Sequence, residues 1–271
     1  MKKRLLAAAI LIPVMFLLLY ALPKIMMVFV VGIFCAIAAY ELLYRTGLLR
    51  HGRLMIYSAV FAALVPLWSY FGANSLTAHL GVLVFFCLIF MEMLLAKTKL
   101  RIEKASLCVV SGLLLPYLLS SLTRIFSPDG GRYVVLIPFV VAFLSDSGAY
   151  FIGCRFGRHK LAPIVSPNKS VEGLFGGIAF ATLGMVAYVF IMQVVFDCQV
   201  NYFYALIYGV LGSLAGTFGD LCFSVIKRQT GIKDYGNLIP GHGGILDRFD
   251  SMITVGPLVE ILLIMIPVVV K

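Results

Sequence analysis

The sequence predicts an all-α polytopic integral membrane protein of about nine transmembrane helices, with its N-terminus in the cytoplasm. Three observations predict it. Of 271 residues, 62% are hydrophobic and 13% charged, against about 45–50% and about 25% in soluble domains. Apolar runs of about 20 residues, long enough to cross a bilayer, recur along the chain. The 22 lysines and arginines lie between those runs, biased to one side. Such apolarity excludes a disordered chain, and a soluble one would expose large greasy patches. The net charge of +10 is spread in short clusters, so no nucleic-acid partner is expected.

Nine stretches read as spans: 5–22, 25–44, 54–71, 79–96, 105–126, 133–152, 171–196, 202–226 and 251–270. The first follows a basic start, but it is long for a signal peptide and no small-x-small cleavage pattern follows, so it reads as an uncleaved helix. With the N-terminus inside, 18 of the 22 basic residues fall on the cytoplasmic side. They are Lys2, Lys3, Arg4, Arg45, Arg50, Arg53, Lys97, Lys99, Arg101, Lys104, Arg155, Arg158, Lys160, Lys169, Lys227, Arg228, Lys233 and Arg248. Only Lys24, Arg124, Arg132 and Lys271 fall outside. One span more or fewer would scramble this split. Two regions follow: 1–126, with spans one to five, and 127–271, with spans six to nine and cytoplasmic loops 153–170 and 227–250.

The first five spans are plain. Glu41 and Glu92 lie near helix ends and read as residues paired with a neighbour. Pro13, Pro66 and Pro116 are tolerated kinks. The six cysteines form no CxxC pair and read as small buried hydrophobes. The last four spans differ. Asp146 interrupts the apolar run LIPFVVAFLSDSGAYFIG (136–153), and an ionised Asp at that depth costs about 2.5–3.5 kcal/mol. It must face water, a cation or a partner; Tyr150, one turn on, is the simplest candidate.

The loop after it holds Ser166, Asn168, Lys169 and Ser170 just before a helix start near Val171. Ser170 caps that start, and its backbone N–H groups with Lys169 form a phosphate cradle. In span eight, Gly212, Gly216 and Gly219 admit a close neighbour, and Asp220, Ser224 and Lys227 share a helical face. Asp220 and Lys227 are about 10 Å apart along it, too far to pair directly. The 227–251 stretch is the densest in polar groups: Lys227, Arg228, Lys233, Asp234, His242, Asp247, Arg248 and Asp250. A helix from Ile245 would put Asp247 and Asp250 on one face. Gly241, Gly243 and Gly244 around His242 would let backbone approach an anion.

Acids beside cations at a membrane surface point to a carboxylate–magnesium–phosphate site. Zinc would want clustered Cys and His. Neither a Walker loop nor a GxSxG elbow is present. The residues alone reach a membrane enzyme that handles phosphates with a divalent metal.

The stretch SVIKRQTGIKDYGNLIPGHGGILDRFD (224–250) resembles the signature of the phosphatidate cytidylyltransferases, or CDP-diacylglycerol synthases. That pattern is S-x-hydrophobic-K-R, four residues, K-D, then P-x-H-G-G and D-R-x-D. DSGAYFIGCRFGRHK (146–160) and SPNKSVEGLFGG (166–177) agree with it. The resemblance implies that CTP and phosphatidic acid give CDP-diacylglycerol and pyrophosphate, with Mg2+ at one or two sites. It implies Asp220 and Asp247 as leading metal ligands, with Asp250 and Asp146 next. Lys227, Arg228 and Arg248 would hold phosphates. Ser166, Asn168, Lys169, Ser170 and Ser224 would line the nucleotide or phosphate pocket. Lys233 and His242 would reach the triphosphate, and His242 would help the leaving group. A homodimer in the cytoplasmic (plasma) membrane, with its site facing the cytoplasm, is also expected. The alternatives are a CTP-dependent polyprenol or dolichol-type lipid kinase and, from another class, a membrane transporter.

Overall fold

A computed structural model of the chain describes residues 23–49, 52–72, 76–95, 100–126, 131–238 and 243–270. The first expected span (5–22), the basic residues Lys2, Lys3, Arg4, Arg50, Lys97, Lys99 and Lys271, and His242 lie outside the described residues. Among the described residues, seven helical stretches are long and apolar enough to cross a membrane. The chain is a mostly helical, integral membrane protein.

The chain divides into two compact units, Met1–Ser127 with Gln229–Phe249, and Pro128–Arg228 with Asp250–Lys271. In the first unit, helix α1 (Lys24–Tyr40) runs into a π-helical turn at Glu41–Arg45. Helices α2 (Gly52–Phe71) and α3 (Leu76–Leu95) follow. Helix α4 (Ile102–Val109) then passes through a second π turn (Val110–Leu114) into α5 (Leu115–Leu119) and α6 (Ser121–Ile125). Pro116 explains that second irregularity, because its missing N–H breaks the i→i−4 ladder. Side-chain hydroxyls take up carbonyls around the break: Ser111 donates to Cys108 O, Ser120 to Pro116 O and Thr123 to Ser120 O. The core is built on Leu43, Leu54, Phe61, Phe85, Ile89 and Cys108, with the Phe61 and Phe85 rings stacked at 4.6 Å. Glu92 accepts from Tyr57 Oη at 3.3 Å and pairs with Arg53 at 3.4 Å.

The second unit begins with the short α7 (Gly131–Val134) and α8 (Ile137–Phe156). An antiparallel hairpin, β1 (Lys160–Ala162) and β2 (Ser166–Ser170), leads into α9 (Val171–Phe196). Strand β3 (Gln199–Val200) precedes α10 (Tyr202–Gln229). After α11 (Leu246–Phe249), which belongs to the first unit, the chain returns as α12 (Met252–Met265) and β4 (Val269–Val270). Helices α8 and α9 touch backbone to backbone. A Cβ on Gly176 would lie 2.9 Å from Gly148 O, and one on Gly177 2.9 Å from Ser145 O. Small residues at such contacts are how membrane helices gain packing without a hydrophobic drive between them.

Two details add to the expected helical membrane architecture. The 153–170 connection folds into the short β1–β2 hairpin, and β3 pairs with β4. The ninth stretch, 251–270, is helical only over Met252–Met265, about 21 Å at 1.5 Å per residue. Pro267 ends it, because the residue before a proline is driven out of the helical region. Ile266 accordingly has φ −143° and ψ 72°.

Candidate active site

In the second unit, a set of acids and cations gathers at the end of α10. Ser224 Oγ donates to Asp220 Oδ1 at 3.3 Å, one turn back. The far side of Asp220 forms an ion pair with Lys169 of β2, reached through Oδ2. Lys227 takes a different carboxylate, standing 3.9 Å from Asp250 Oδ2. The shared face of Asp220, Ser224 and Lys227 thus opens onto two separate pairs. Gly219 makes the arrangement possible, because a Cβ there would lie 2.7 Å from Asp250 O. Thr254 Oγ1 donates to Ala215 O at 2.7 Å and ties α12 to the same stretch of α10.

Asp250 sits in the turn between α11 and α12, 8% exposed. Burial pushes its carboxyl up to about 7, and the negative charges of Asp220 and, more weakly, Asp146 push the same way. Lys227 and the Ser251 N–H, which donates at 2.8 Å, pull against them. Asp146 lies on an exposed face of α8.

The hairpin is built to order Lys169. Ser166 is in register with Ala162 and Ser170 with Lys160, and Arg228 Nε donates to Val165 O at 3.1 Å. Asn168 is exposed. Ser170 Oγ accepts from Gly173 N at 3.1 Å, so the expected cap is present and α9 begins at Val171. The carboxylate of Glu172 is also at this helix start, accepting from the Arg158 and His159 N–H groups and meeting His159 Nδ1 at 2.6 Å.

In the first unit, the segment 229–249 is held by two buried carboxylates. Asp247 Oδ2 accepts from Tyr235 N at 2.7 Å and Gly244 N at 3.0 Å. Glu41 accepts from Ile245 N at 3.2 Å and Leu246 N at 2.8 Å. Lys233 and Arg248 are exposed. Asp247 and Asp250 do not share a helical face. Helix α11 stops at Phe249, Asp250 lies in a turn, and the two belong to different units. Gly243, at φ +84°, and Gly244 leave room for carboxylates of this chain: a Cβ on Gly243 would lie 2.9 Å from Asp247 Oδ2, and one on Gly244 would overlap Glu41.

Among the described residues, no three His, Cys, Asp or Glu side chains gather to hold a metal. The second unit instead offers Asp220 and Asp250, a pair of oxygen donors whose mutual repulsion a cation would relieve. That fits a magnesium ion, which is typically held by one or two carboxylates and completed by substrate phosphates and water.

The description "Cytidylyltransferase family" fits residues 2–266 of the chain. The chain belongs to that family. A phosphatidate cytidylyltransferase of Staphylococcus epidermidis is 46% identical over 136 residues, 50% of each chain. One of Staphylococcus saprophyticus is 39% identical over 176 residues, 64% of each. One of Staphylococcus aureus is 43% identical over 134 residues, 49% of this chain and 50% of its own. The chain thus spans about half to two thirds of the length of the curated relatives it matches. In this member of the cytidylyltransferase family, the residue that sequence reasoning missed is Glu41. Its partners lie 204 and 205 positions away, and the local sequence signals only an acid near a helix end.

Proposed function

We propose that the chain transfers the cytidylyl group of CTP to phosphatidic acid. A phosphate oxygen of the lipid attacks the α-phosphorus of CTP, the bond from that phosphorus to the bridging oxygen breaks, and pyrophosphate leaves in line. The observation that carries this is the pair of carboxylates, Asp220 and Asp250, each matched with a lysine at the end of α10. Family membership and the names of the relatives support the choice of substrates.

The attacking phosphate monoester has a second pKa near ~6, so it is anionic at neutral pH and no strong base is needed. The chain's work is alignment and charge neutralisation. Asp220 and Asp250 would hold Mg2+, with Asp247 and Asp146 as further candidates. Bound there, the ion would supply positive charge to stabilise the charge that develops at the α-phosphate. Lys227, Arg228 and Arg248 bind phosphates. Lys169 and Ser224 sit on Asp220 and, with Ser166, Asn168 and Ser170, would line the nucleotide or phosphate site. Lys233 and His242 reach the triphosphate, where His242 assists the leaving group.

The charge bias favours a site at the cytoplasmic face of the plasma membrane, with nine crossings and the N-terminus inside. There a water-soluble nucleotide meets a lipid headgroup. A homodimer rests on the family resemblance alone, because Gly212, Gly216 and Gly219 are taken up by Val141, Val255 and Thr254 of the same chain.

The test is a product assay on detergent-purified protein with phosphatidic acid, labelled CTP and magnesium. A parallel tube replaces CTP with ATP and another contains EDTA. Pyrophosphate and a cytidine-bearing lipid, abolished by EDTA and absent with ATP, are the expected result. CDP with a newly phosphorylated lipid would replace the reading with a lipid kinase. Solute flux without CTP turnover would replace it with a transporter.

A further inference from the structure

We infer that Glu41 is a positioning residue for the 229–249 segment, acting on CTP through Asp247, Lys233 and Arg248 without touching substrate, a role that rests on the function proposed above for that segment.

Glu41 is a carboxylate only 3% exposed, a placement that a membrane protein tolerates only where the charge is compensated. Its two oxygens accept the Ile245 and Leu246 N–H groups. These are backbone donors immediately before Asp247 and Arg248. The same segment places Gly236 and Gly244 against the carboxylate, and a Cβ at either would overlap it. Asp247 then closes the other side of the loop by accepting from Tyr235 and Gly244. Two acids, one following α1 and one from the loop itself, therefore fix the backbone at Tyr235 and from Gly244 to Leu246.

A second observation points the same way. Glu41 opens the π-helical turn Glu41–Arg45, although no proline or glycine lies in that turn. A π turn inserts one residue into the helical register and re-aims the side chains around it, a device frequent at functional sites. Phe34, on α1, meets Phe249 with ring centroids 5.2 Å apart, so this stretch of chain grips the loop at two heights. Glu92, the other buried acid of the membrane helices in this unit, serves its own helices through Tyr57 and Arg53 and is the natural comparison.

The experiment uses the full chain in detergent, with Glu41→Gln, Gly236→Ala, the double variant, and Glu92→Gln as comparison. The Glu41→Gln change keeps the side chain's shape but turns one acceptor into a donor facing an N–H. Three quantities are read: amide hydrogen exchange over 235–247, the dissociation constant for Mg·CTP by calorimetry, and kcat with KM for CTP per mole of folded protein. Glu41→Gln should speed exchange at 244–247 by ~10-fold or more and weaken CTP binding by a similar factor. Gly236→Ala should do the same, and the double variant should be little worse than either single change. Glu92→Gln should lower the melting temperature while leaving CTP affinity and KM unchanged. Faster exchange with unchanged CTP affinity would overturn the inference and leave Glu41 a structural residue. Unchanged exchange would overturn it too. A wild-type chain that binds CTP but makes no cytidine-bearing lipid would refute the proposed reaction, while the calorimetric comparison would still decide the role of Glu41.

Discussion

Replacing Asp220 by asparagine removes one charge and almost no volume. Ser224 can still donate to the amide oxygen, so that hydrogen bond survives. What is lost is the ion pair with Lys169, in which the lysine and aspartate side chains are 24% and 28% exposed. Exposed pairs contribute about 0.2–1 kcal/mol, while breaking a fully buried one costs about 3–5 kcal/mol. A partly buried pair sits near the lower end, about 1–2 kcal/mol. At about 2–4 °C per kcal/mol for chains of this order of size, the melting temperature should fall by only a few degrees. Turnover should fall at least ~100-fold, which corresponds to about 2.7 kcal/mol on the barrier. The assay is initial pyrophosphate release with labelled CTP, normalised to folded protein and repeated across a magnesium titration. The variant should also need more magnesium to reach its own maximum. Turnover within about threefold of the parent, with the small melting shift as expected, would refute the assignment of Asp220 as a metal ligand.

Three further outcomes are expected. Because the folded protein holds a proton on Asp250 that the unfolded chain releases above its ordinary value of 3.8, metal-free stability should fall as pH rises from about 4 to about 7. Asp250→Asn should flatten that slope in thermal melts recorded across the range, and an unchanged slope would clear Asp250 of causing it. Gly243→Ala should lower stability by about 1–2 kcal/mol, since φ is +84° and the new Cβ would press on Asp247; an unaltered melting temperature would contradict the loop geometry. Gly209→Ala should destabilise the second unit, because its Cβ would lie 2.8 Å from Thr182 N in the backbone of α9; full expression and an unshifted melt would show that α9 and α10 are looser than this.

The seven long apolar helices among the described residues were legible because bilayer crossing imposes length and apolarity on each segment separately. The cap at Ser170 was legible for a similar reason, as Ser, Glu and Gly at fixed offsets act within one turn. What lay hidden depended on partners distant in the chain. Helical spacing put Asp220, Ser224 and Lys227 on one face, yet could not tell that Lys169 would take Asp220 and that Lys227 would take Asp250. In the sequence, the glycines near His242 offer room for an anion. Gly243 and Gly244 do give room to anions, but to Asp247 and Glu41. The hairpin at 160–170 has three- and five-residue strands, too short for alternation to register. The early end of α12 followed from a single proline, Pro267, inside a run that hydropathy alone reads as continuous.

The excursion of 229–249 away from the unit that precedes and follows it has a consequence for anyone exchanging parts between relatives. A chimaera cut once near 127 would set the Glu41 of this chain against another parent's 229–249 loop, and that loop would have to match a carboxylate it never met. Grafting 23–126 and 229–249 together keeps lock and key from one source, so hybrids made that way should fold more often than those made at the single junction.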